Sequence, residues 1–226
     1  MKNFTLMILC AGFGLRMLNL TRRTPKPLLK YKNKILLKNT IDFFTDIGCD
    51  EILINTHYLH HKIKKYLNKN FKKYPIQIIY EKKILGTGGG VKNIFNYTNR
   101  KKICVVNSDI FWTKKNKSHI KYFLKNYQNV AHCKILLSKD NNFLGLKKEN
   151  GDFNLKRNVV IRWNNKNEKL YYSGLQIVSK NIFNKRKKIF PMNEIWTKLI
   201  KNNQIKGYII PSKIRHIGDK KSILEN

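Results

Sequence analysis

An apolar run near the N-terminus that ends in two glycines constrains the fold of this chain more than any other feature. The segment from Thr5 to Cys10 is apolar at every position after Thr5, and it leads directly into Ala11-Gly12-Phe13-Gly14. A strand with apolar side chains on both faces is typical of a sheet covered by helices on both sides. The sequence therefore predicts a central buried strand followed by a glycine-rich loop.

Helical and strand patterns alternate through the next hundred residues. Leu37, Ile41, Phe44 and Ile47 recur at three- and four-residue spacing, which predicts a helix, and Gly48 follows as its stop. Further along we expect a strand over 51–55, a helix around 61–67, a strand over 76–80, a helix beginning near Gly90 and a strand over 103–106. Such alternation predicts a parallel sheet, and ligands bind at the carboxyl ends of the strands of such sheets.

The pattern changes beyond residue 130. Segments 131–137, 143–155 and 171–178 are β-rich, and Asn150-Gly151 is a turn signal. A helix over 194–201 and a final strand near Ile209 complete the predicted elements. We therefore expect an α/β fold with a Rossmann-like mixed, mainly parallel sheet flanked by helices and a β-rich C-terminal part, all in one domain over residues 1–226.

The charge balance is strongly basic, with 47 Lys and Arg against 13 Asp and Glu and a formal net charge of +34. This balance raises the hypothesis of a protein that binds nucleic acid or an anionic membrane. The charges are spread along the entire chain without a nucleic-acid-binding motif, and the abundance of Lys, Asn and Ile is typical of A/T-rich codons. We expect neither partner, and a basic surface also suits an enzyme of polyanionic substrates, whose approach it steers.

The four cysteines occur singly in apolar contexts, without the paired spacing of a zinc site. They are predicted to be buried free thiols in a reducing compartment. No stretch reaches 18 uninterrupted apolar residues, and the run from Thr5 to Cys10 is too short for a signal peptide. The chain is therefore expected to be cytoplasmic.

The loop after the first predicted strand carries the strongest chemical signal. The segment Leu9–Met17 contains Gly-x-Gly-x-Arg, and Thr24-Pro25-Lys26-Pro27 follows it. Glycines let backbone N–H groups approach a triphosphate, and the cations of Arg16 and Lys26 can neutralise its charge. Two glycines alone are also typical of an ordinary tight turn, but Arg16 and the proline-flanked Lys26 favour phosphate binding. The spacing is neither that of a Walker loop nor that of a dinucleotide fingerprint.

Together these motifs resemble the sugar-phosphate nucleotidyltransferase family, whose signature is a Leu-x-x-Gly-x-Gly-x-Arg-Met/Leu loop followed by Pro-Lys-Pro. The resemblance covers almost the whole chain. Within the family, segments 54–59, 85–91 and 107–109 are most similar to N-acetylmuramate 1-phosphate uridylyltransferases and to proteins called mannose-1-phosphate guanylyltransferases.

This resemblance implies an enzyme that joins a nucleoside triphosphate to a sugar 1-phosphate and releases pyrophosphate. The substrate pair it implies is UTP with N-acetylmuramate 1-phosphate. The alternative is a mannose-1-phosphate guanylyltransferase or another hexose or heptose 1-phosphate nucleotidyltransferase. A monomer or a small homo-oligomer is expected.

The resemblance also implies roles for individual residues. Arg16 would bind the triphosphate, Lys26 would bridge the sugar phosphate and the α-phosphate, and Asp109 would bind Mg²⁺. Tyr172 and Gly174 would line the sugar pocket. A second set would contact the nucleotide: Leu9, Ala11, Gly12, Gly14, Arg16, Thr87, Gly88, Gly89 and Asn107. In this set the glycine-rich segment from Thr87 would form a loop that contacts the base.

Asp109 is informative by itself, because a carboxylate directly after an apolar strand is poorly explained by packing. A helix cap or a turn is its alternative role, and Mg²⁺ prefers oxygen ligands. Near the C-terminus the family commonly has a second Asp before Val/Ile-Gly-Thr, where this chain has His216. We predict His216 as the second metal-site residue and keep Asp219 as the alternative. A purely structural role for His216 stays open, and so does a separate hypothesis that His216 suggests, a catalytically silent family member that senses nucleotide-sugars.

Overall fold

The computed structural model describes residues 4–146, 148–166, 168–183 and 187–224, without the side chain of Leu18. Its helices are α1 (Leu36–Asp46), α2 (His60–Asn70), α3 (Gly86–Ile94), α4 (Lys117–Leu124), α5 (Met192–Lys201) and α6 (Lys220–Leu224). Short 3-10 helices occupy Leu15–Thr21, Lys26–Leu28, Lys114–Asn116, Tyr127–Asn129, Asp140–Asn142 and Lys180–Phe183. Across the described residues, no helix combines the length and the apolar character that crossing a membrane requires.

The strands are β1 (Phe4–Cys10), β2 (Lys30–Tyr31), β3 (Lys34–Ile35), β4 (Cys49–Thr56), β5 (Ile76–Tyr80), β6 (Lys102–Asn107), β7 (Ile110–Phe111), β8 (Cys133–Lys139), β9 (Phe143–Leu144), β10 (Phe153–Lys156), β11 (Val159–Arg162), β12 (Leu170–Ser179), β13 (Ile205–Ile209) and β14 (Ile214–His216). Nine of them form the main sheet, in the order β10-β11-β13-β8-β12-β6-β1-β4-β5. Two small sheets accompany it, β7-β14-β9 and β2-β3.

The main sheet combines a parallel half with a largely antiparallel half. β1 pairs in parallel with β4 and β6, and β4 pairs in parallel with β5. β12 runs antiparallel to both β6 and β8, while β13 returns parallel to β8. The predicted α/β class, with a mixed and mainly parallel sheet, is confirmed. Because β1, β4, β5 and β6 point the same way, their carboxyl ends meet at one edge.

Helices cover both faces of the sheet, so β1 is buried on both sides as predicted. Leu6 packs in one apolar cluster with Ile41 of α1 and residues of α4. Met7, one position later, packs in a second cluster with Val91 of α3 and residues of α5. Successive side chains of a strand point to opposite faces, and the apolar run near the N-terminus therefore serves two cores.

Several predicted elements need correction. The segment 143–155, predicted to be β-rich, holds the short strand β9, which ends at Leu144, and the start of β10 at Phe153. The strand near Ile209 is not the last, since β14 and α6 follow it. Neither α4 nor β11 was predicted. All four cysteines are free thiols, as expected, but Cys49 is only half-buried.

The glycine-rich segment 86–90 is helical, so the prediction of a loop with a helix starting near Gly90 was wrong. α3 begins at Gly86, and the N–H groups of Gly88 and Gly89 donate to the carbonyl of Phe190 at 3.0 and 3.1 Å. Glycine is a poor helix former, but here the absent side chains let the segment 188–192 pack directly on the helix. Tertiary packing outweighs local propensity in this element.

Replacing Gly89 by Ala is expected to destabilise the protein by roughly 1–3 kcal/mol, because an added Cβ would overlap the backbone carbonyl of Lys188. Gly12→Ala is the matched control, since a Cβ there meets no described atom within 4 Å. Chemical denaturation measures both variants. Equal unfolding free energies for Gly89→Ala and the unmodified chain would contradict the packing described for α3.

Candidate functional site

A cleft of about 560 Å³ lies at the carboxyl ends of β1, β4, β5 and β6. The loops after Cys10 and after Val106 both line it. Its lining is Leu9, Cys10, Ala11, Gly12, Phe13, Gly14, Leu15, Arg16, Lys26, Pro27, Asn55, Glu81, Ile84, Gly86, Thr87, Asn107, Ser108, Asp109 and Gly218. Nine of the residues predicted to be functional are therefore brought together: Leu9, Ala11, Gly12, Gly14, Arg16, Lys26, Thr87, Asn107 and Asp109.

The loop after β1 is closed upon itself. Gly14 has a φ of +69°, a conformation that favours glycine. Its carbonyl accepts the Met17 N–H at 2.9 Å and the Thr21 hydroxyl at 3.1 Å. A Cβ on Gly14 would lie 3.0 Å from the Thr21 methyl and 3.2 Å from the Lys26 Cβ. This glycine is therefore required both by its φ and by the close approach of two neighbours.

Lys26 and Asp109 form an ion pair at the centre of the cleft. The Lys26 ammonium donates to Asp109 Oδ2 at 2.6 Å, and the two side chains are only 12% and 15% exposed. His216 Nε2 lies 3.3 Å from the same oxygen. Residues from three distant parts of the chain thus converge on one carboxylate.

The Asp109 carboxyl is held in its ionised form. Burial raises its pKa, but the hydrogen bond from His216 and the positive charge of Lys26 outweigh burial and hold the pKa well below its usual range. Its other oxygen, Oδ1, is buried and has no hydrogen-bond partner among the described residues. A buried anionic oxygen without a partner fits a hard cation such as Mg²⁺.

The described side chains contain no cluster of three His, Cys, Asp or Glu residues that could hold a metal ion by themselves. A cation at Asp109 would therefore need oxygens from a bound phosphate to complete its coordination, which is the usual way in which Mg²⁺ binds with a nucleotide.

The two C-terminal candidates for the metal site are placed differently. His216 contacts Asp109 but does not line the cleft, and its ring packs against Gly218, which does. Asp219 is turned toward α6, where Oδ1 accepts the Ser222 N–H at 2.9 Å. The geometry brings His216, and not Asp219, to the Lys26–Asp109 pair.

Asn55 and Glu81 were missed by the sequence analysis. Asn55 Oδ1 accepts the Cys10 N–H at 3.1 Å, and its amide donates to Glu81 Oε1 at 2.8 Å. Glu81 Oε2 accepts the Leu85 N–H at 3.1 Å. This buried network ties the ends of β1, β4 and β5 to the start of α3. The signal that singled out Asp109, a polar residue ending an apolar strand, would have identified both.

The glycine-rich segment contributes only in part to the cleft. Gly86 and Thr87 line it, while Gly88 and Gly89 are buried against the segment 188–192. The Thr87 hydroxyl accepts the Met192 N–H at 2.9 Å. The placement of Gly88 and Gly89 gives no support to the predicted base contacts, whereas Thr87 is placed where a ligand can reach it.

Of the two residues predicted to line a sugar pocket, Gly174 lies beside Asn107, a residue that lines the cleft. Tyr172 packs edge-on against Trp196, with ring centroids 4.7 Å apart, and its hydroxyl is buried with no described hydrogen-bond partner. Gly174 has a φ of +81°, and a Cβ there would lie 3.3 Å from the Asn107 Cβ. Neither residue lines the cleft itself, so sugar binding by this pair stays a prediction.

The cleft also contains a thiol. Burial raises the pKa of Cys10 to about 12, so the group remains protonated near neutral pH. A protonated thiol is a weak nucleophile, which argues against covalent catalysis by Cys10.

The family model described as nucleotidyl transferase matches residues 5–154. Among curated proteins, a D-glycero-alpha-D-manno-heptose 1-phosphate guanylyltransferase from Campylobacter jejuni is 26% identical over 187 residues, which cover 79% of this chain and 77% of that protein. An N-acetylmuramate alpha-1-phosphate uridylyltransferase from Caulobacter vibrioides is 24% identical over 227 residues, which cover 96% of this chain and 93% of that protein.

Solved structures share the fold. HddC from Yersinia pseudotuberculosis superposes with a TM-score of 0.75 at 20% identity, covering 98% of this chain and 97% of that one. A UDP-glucose pyrophosphorylase complexed with UDP-glucose gives a TM-score of 0.77 at 16% identity, and the match covers 99% of this chain and 97% of that one. At these identities the structural matches support the fold alone.

Proposed function

This chain belongs to the nucleotidyl transferase family and is a sugar-1-phosphate nucleotidyltransferase, and from that premise we propose that it joins UTP to N-acetylmuramate 1-phosphate at the cleft described above. The observation that carries the site assignment is the buried Lys26–Asp109 pair beside the glycine loop. The Caulobacter uridylyltransferase supports the substrate pair, because its match extends through the β-rich C-terminal part.

A second pair, GTP with a heptose or mannose 1-phosphate, is favoured by other relatives. The Campylobacter heptose enzyme matches over most of the chain. The catalytic subunit beta of a mannose-1-phosphate guanylyltransferase from Drosophila melanogaster is 34% identical, but over only 85 residues. Both pairs require the same chemistry at the phosphates.

The proposed reaction is an in-line displacement. An oxygen of the sugar 1-phosphate attacks the α-phosphorus of the triphosphate, the new P–O bond forms, and the bond to pyrophosphate breaks. The attacking phosphate oxygen is already anionic, so no general base is needed. Catalysis therefore depends on positioning and on electrostatic stabilisation.

Each side chain has a distinct part in this proposal. Backbone N–H groups of the loop 11–16 surround the triphosphate, and Arg16, exposed at the cleft, places its guanidinium on phosphate oxygens. Lys26 lies between the two phosphates, oriented by Asp109 and by its flanking prolines. Asp109 would hold Mg²⁺ through its second oxygen, Oδ1, and the bound ion would neutralise charge on the leaving pyrophosphate. His216, which does not line the cleft, contacts the Asp109 carboxylate and helps to hold it in place.

A pyrophosphate-release screen tests the proposal. UTP, GTP, CTP and dTTP are each combined with N-acetylmuramate, mannose, glucose and heptose 1-phosphates in the presence of Mg²⁺. We expect UTP with N-acetylmuramate 1-phosphate to exceed every other pair in kcat/KM by about tenfold or more. The unphosphorylated sugars are the control. A preference for GTP would overturn the substrate pair, and no release with any pair would overturn the function.

A further inference from the structure

The turn between β4 and α2 contacts the chain that connects the glycine loop to Lys26. This connection, residues 21–25, links the end of the 3-10 helix Leu15–Thr21 to the start of the 3-10 helix Lys26–Leu28. Arg22 and Arg23 within it are exposed. Its position sets how Lys26 and the glycine loop lie relative to each other.

One side chain of the turn and one of α2 bind backbone carbonyls of the connection. The Tyr58 hydroxyl lies 3.0 Å from the Thr21 carbonyl and 3.1 Å from the Arg22 carbonyl, and its single hydrogen is shared between them. The Lys62 ammonium donates to the Arg23 carbonyl. Three successive carbonyls of the connection are therefore held by α2 and the residues before it.

The turn itself is rigidly placed. Leu59 adopts a left-handed conformation with a φ of +50° at the start of α2. The His57 ring nitrogen Nδ1 lies 2.7 Å from the Glu81 carbonyl, and the Thr56 hydroxyl lies 2.8 Å from His60 Nδ1. These contacts attach the turn to the carboxyl ends of β4 and β5 and thereby hold Tyr58 in position.

The same turn also contacts the glycine loop. Phe13 is 44% exposed, and its ring packs against His57 and Tyr58 at centroid distances of 5.6 and 5.7 Å. Tyr58 does not line the cleft, so a direct role in the chemistry is not indicated. It contacts instead Phe13, which precedes Arg16, and the connection that leads to Lys26.

We propose that Tyr58 and Lys62 form a tether that holds residues 21–23, and that Tyr58 is thereby a positioning residue for nucleotide binding. Only the kinetic consequence of this inference rests on the proposed function. A loop that is ordered only part of the time binds its ligand more weakly, in proportion to the fraction that is competent. Loss of the tether therefore raises KM for the nucleotide and leaves the chemistry of the bound complex nearly intact.

Tyr58→Phe tests the tether, because it removes the hydroxyl and keeps the ring that packs on Phe13. We expect KM for the nucleotide to rise about 3- to 10-fold, the range for loss of one hydrogen bond, with kcat within about twofold of the unmodified enzyme. Tyr97→Phe is the control, since Tyr97 is an exposed tyrosine outside the cleft, and both kinetic constants of this variant are expected to stay unchanged.

A second measurement does not depend on activity. Trypsin can cleave after Arg22 and Arg23, and mass spectrometry can follow these two bonds in the ligand-free protein. We expect Tyr58→Phe and Lys62→Met each to speed this cleavage about 3- to 10-fold, while Tyr97→Phe leaves it unchanged. Unchanged cleavage and unchanged KM in Tyr58→Phe would overturn the tether. If no substrate pair releases pyrophosphate, the proposed function fails and the cleavage rates alone decide the tether.

Discussion

Replacing Asp109 by Asn is expected to lower kcat by about a hundredfold or more, since groups that stabilise charge in the transition state are worth this much. The substitution keeps the shape of the side chain and removes its charge. An amide nitrogen or oxygen facing Lys26 cannot replace the ion pair at 2.6 Å. It also removes the anionic Oδ1, the buried oxygen to which we assign Mg²⁺. Two contributions are lost together, orientation of Lys26 and a cation ligand.

Pyrophosphate release at saturating substrate measures the effect, and thermal unfolding verifies that the variant is folded. Asp50→Asn is a matched control, because Asp50 also forms an ion pair, with Arg100 at 2.8 Å, but near the amino end of β4, at the opposite edge of the sheet. We expect its turnover to be unchanged. Near-normal turnover in a folded Asp109→Asn enzyme would show that this carboxylate does not serve the reaction.

The parallel half of the fold could be predicted because buried strands have a simple signature. The strand from Thr5 to Cys10 must be apolar on both faces, and the run Ile103–Val106 is apolar for the same reason. Polar residues at the ends of such runs then meet at one edge. That rule placed the glycine loop and Asp109 together, and it would have added Asn55 and Glu81 had it been applied to every strand.

Other features depend on contacts between distant segments and could not be predicted. β14 has three residues and is defined by its pairing with β7 and β9, in which His216 lies opposite Ile110. That pairing is what brings His216 to Asp109; the family resemblance indicated that His216 belongs to this site, but no local pattern signals the pairing. The helical state of residues 86–90 likewise depends on the backbone of the segment 188–192, which lies a hundred residues away.

Replacing Lys26 by Met should lower kcat by about a hundredfold or more, because a methionine of similar length keeps the packing and removes the cation between the two phosphates. Lys38→Met is the control, since Lys38 also pairs with a carboxylate, that of Asp42 at 2.8 Å, but on the exposed face of α1. Single-turnover measurements separate a loss of chemistry from a loss of binding. An unchanged rate of the chemical step in Lys26→Met would show that Lys26 does not stabilise the transition state.

The same variant has a predicted effect on stability that depends on pH. Lys26 and His216 hold the pKa of Asp109 below its usual range, so ionisation of Asp109 stabilises the fold above the unfolded pKa of roughly 4. This stabilisation is lost as the pH falls through the lower folded pKa. Without Lys26 the folded pKa rises, because burial still disfavours the charged form.

We therefore expect Lys26→Met to be less stable than the unmodified chain at pH 7, and the difference to shrink once the pH falls below the folded pKa of Asp109 in the variant, because the carboxyl is then protonated in the folded variant but still ionised in the folded unmodified chain. Denaturant unfolding at pH 7, 5, 4 and 3 measures this dependence. Lys38→Met, whose partner Asp42 is exposed, is expected to show a small difference at every pH. A stability difference for Lys26→Met that stays constant from pH 7 to pH 3 would mean that Lys26 acts through packing and not through the charge of Asp109.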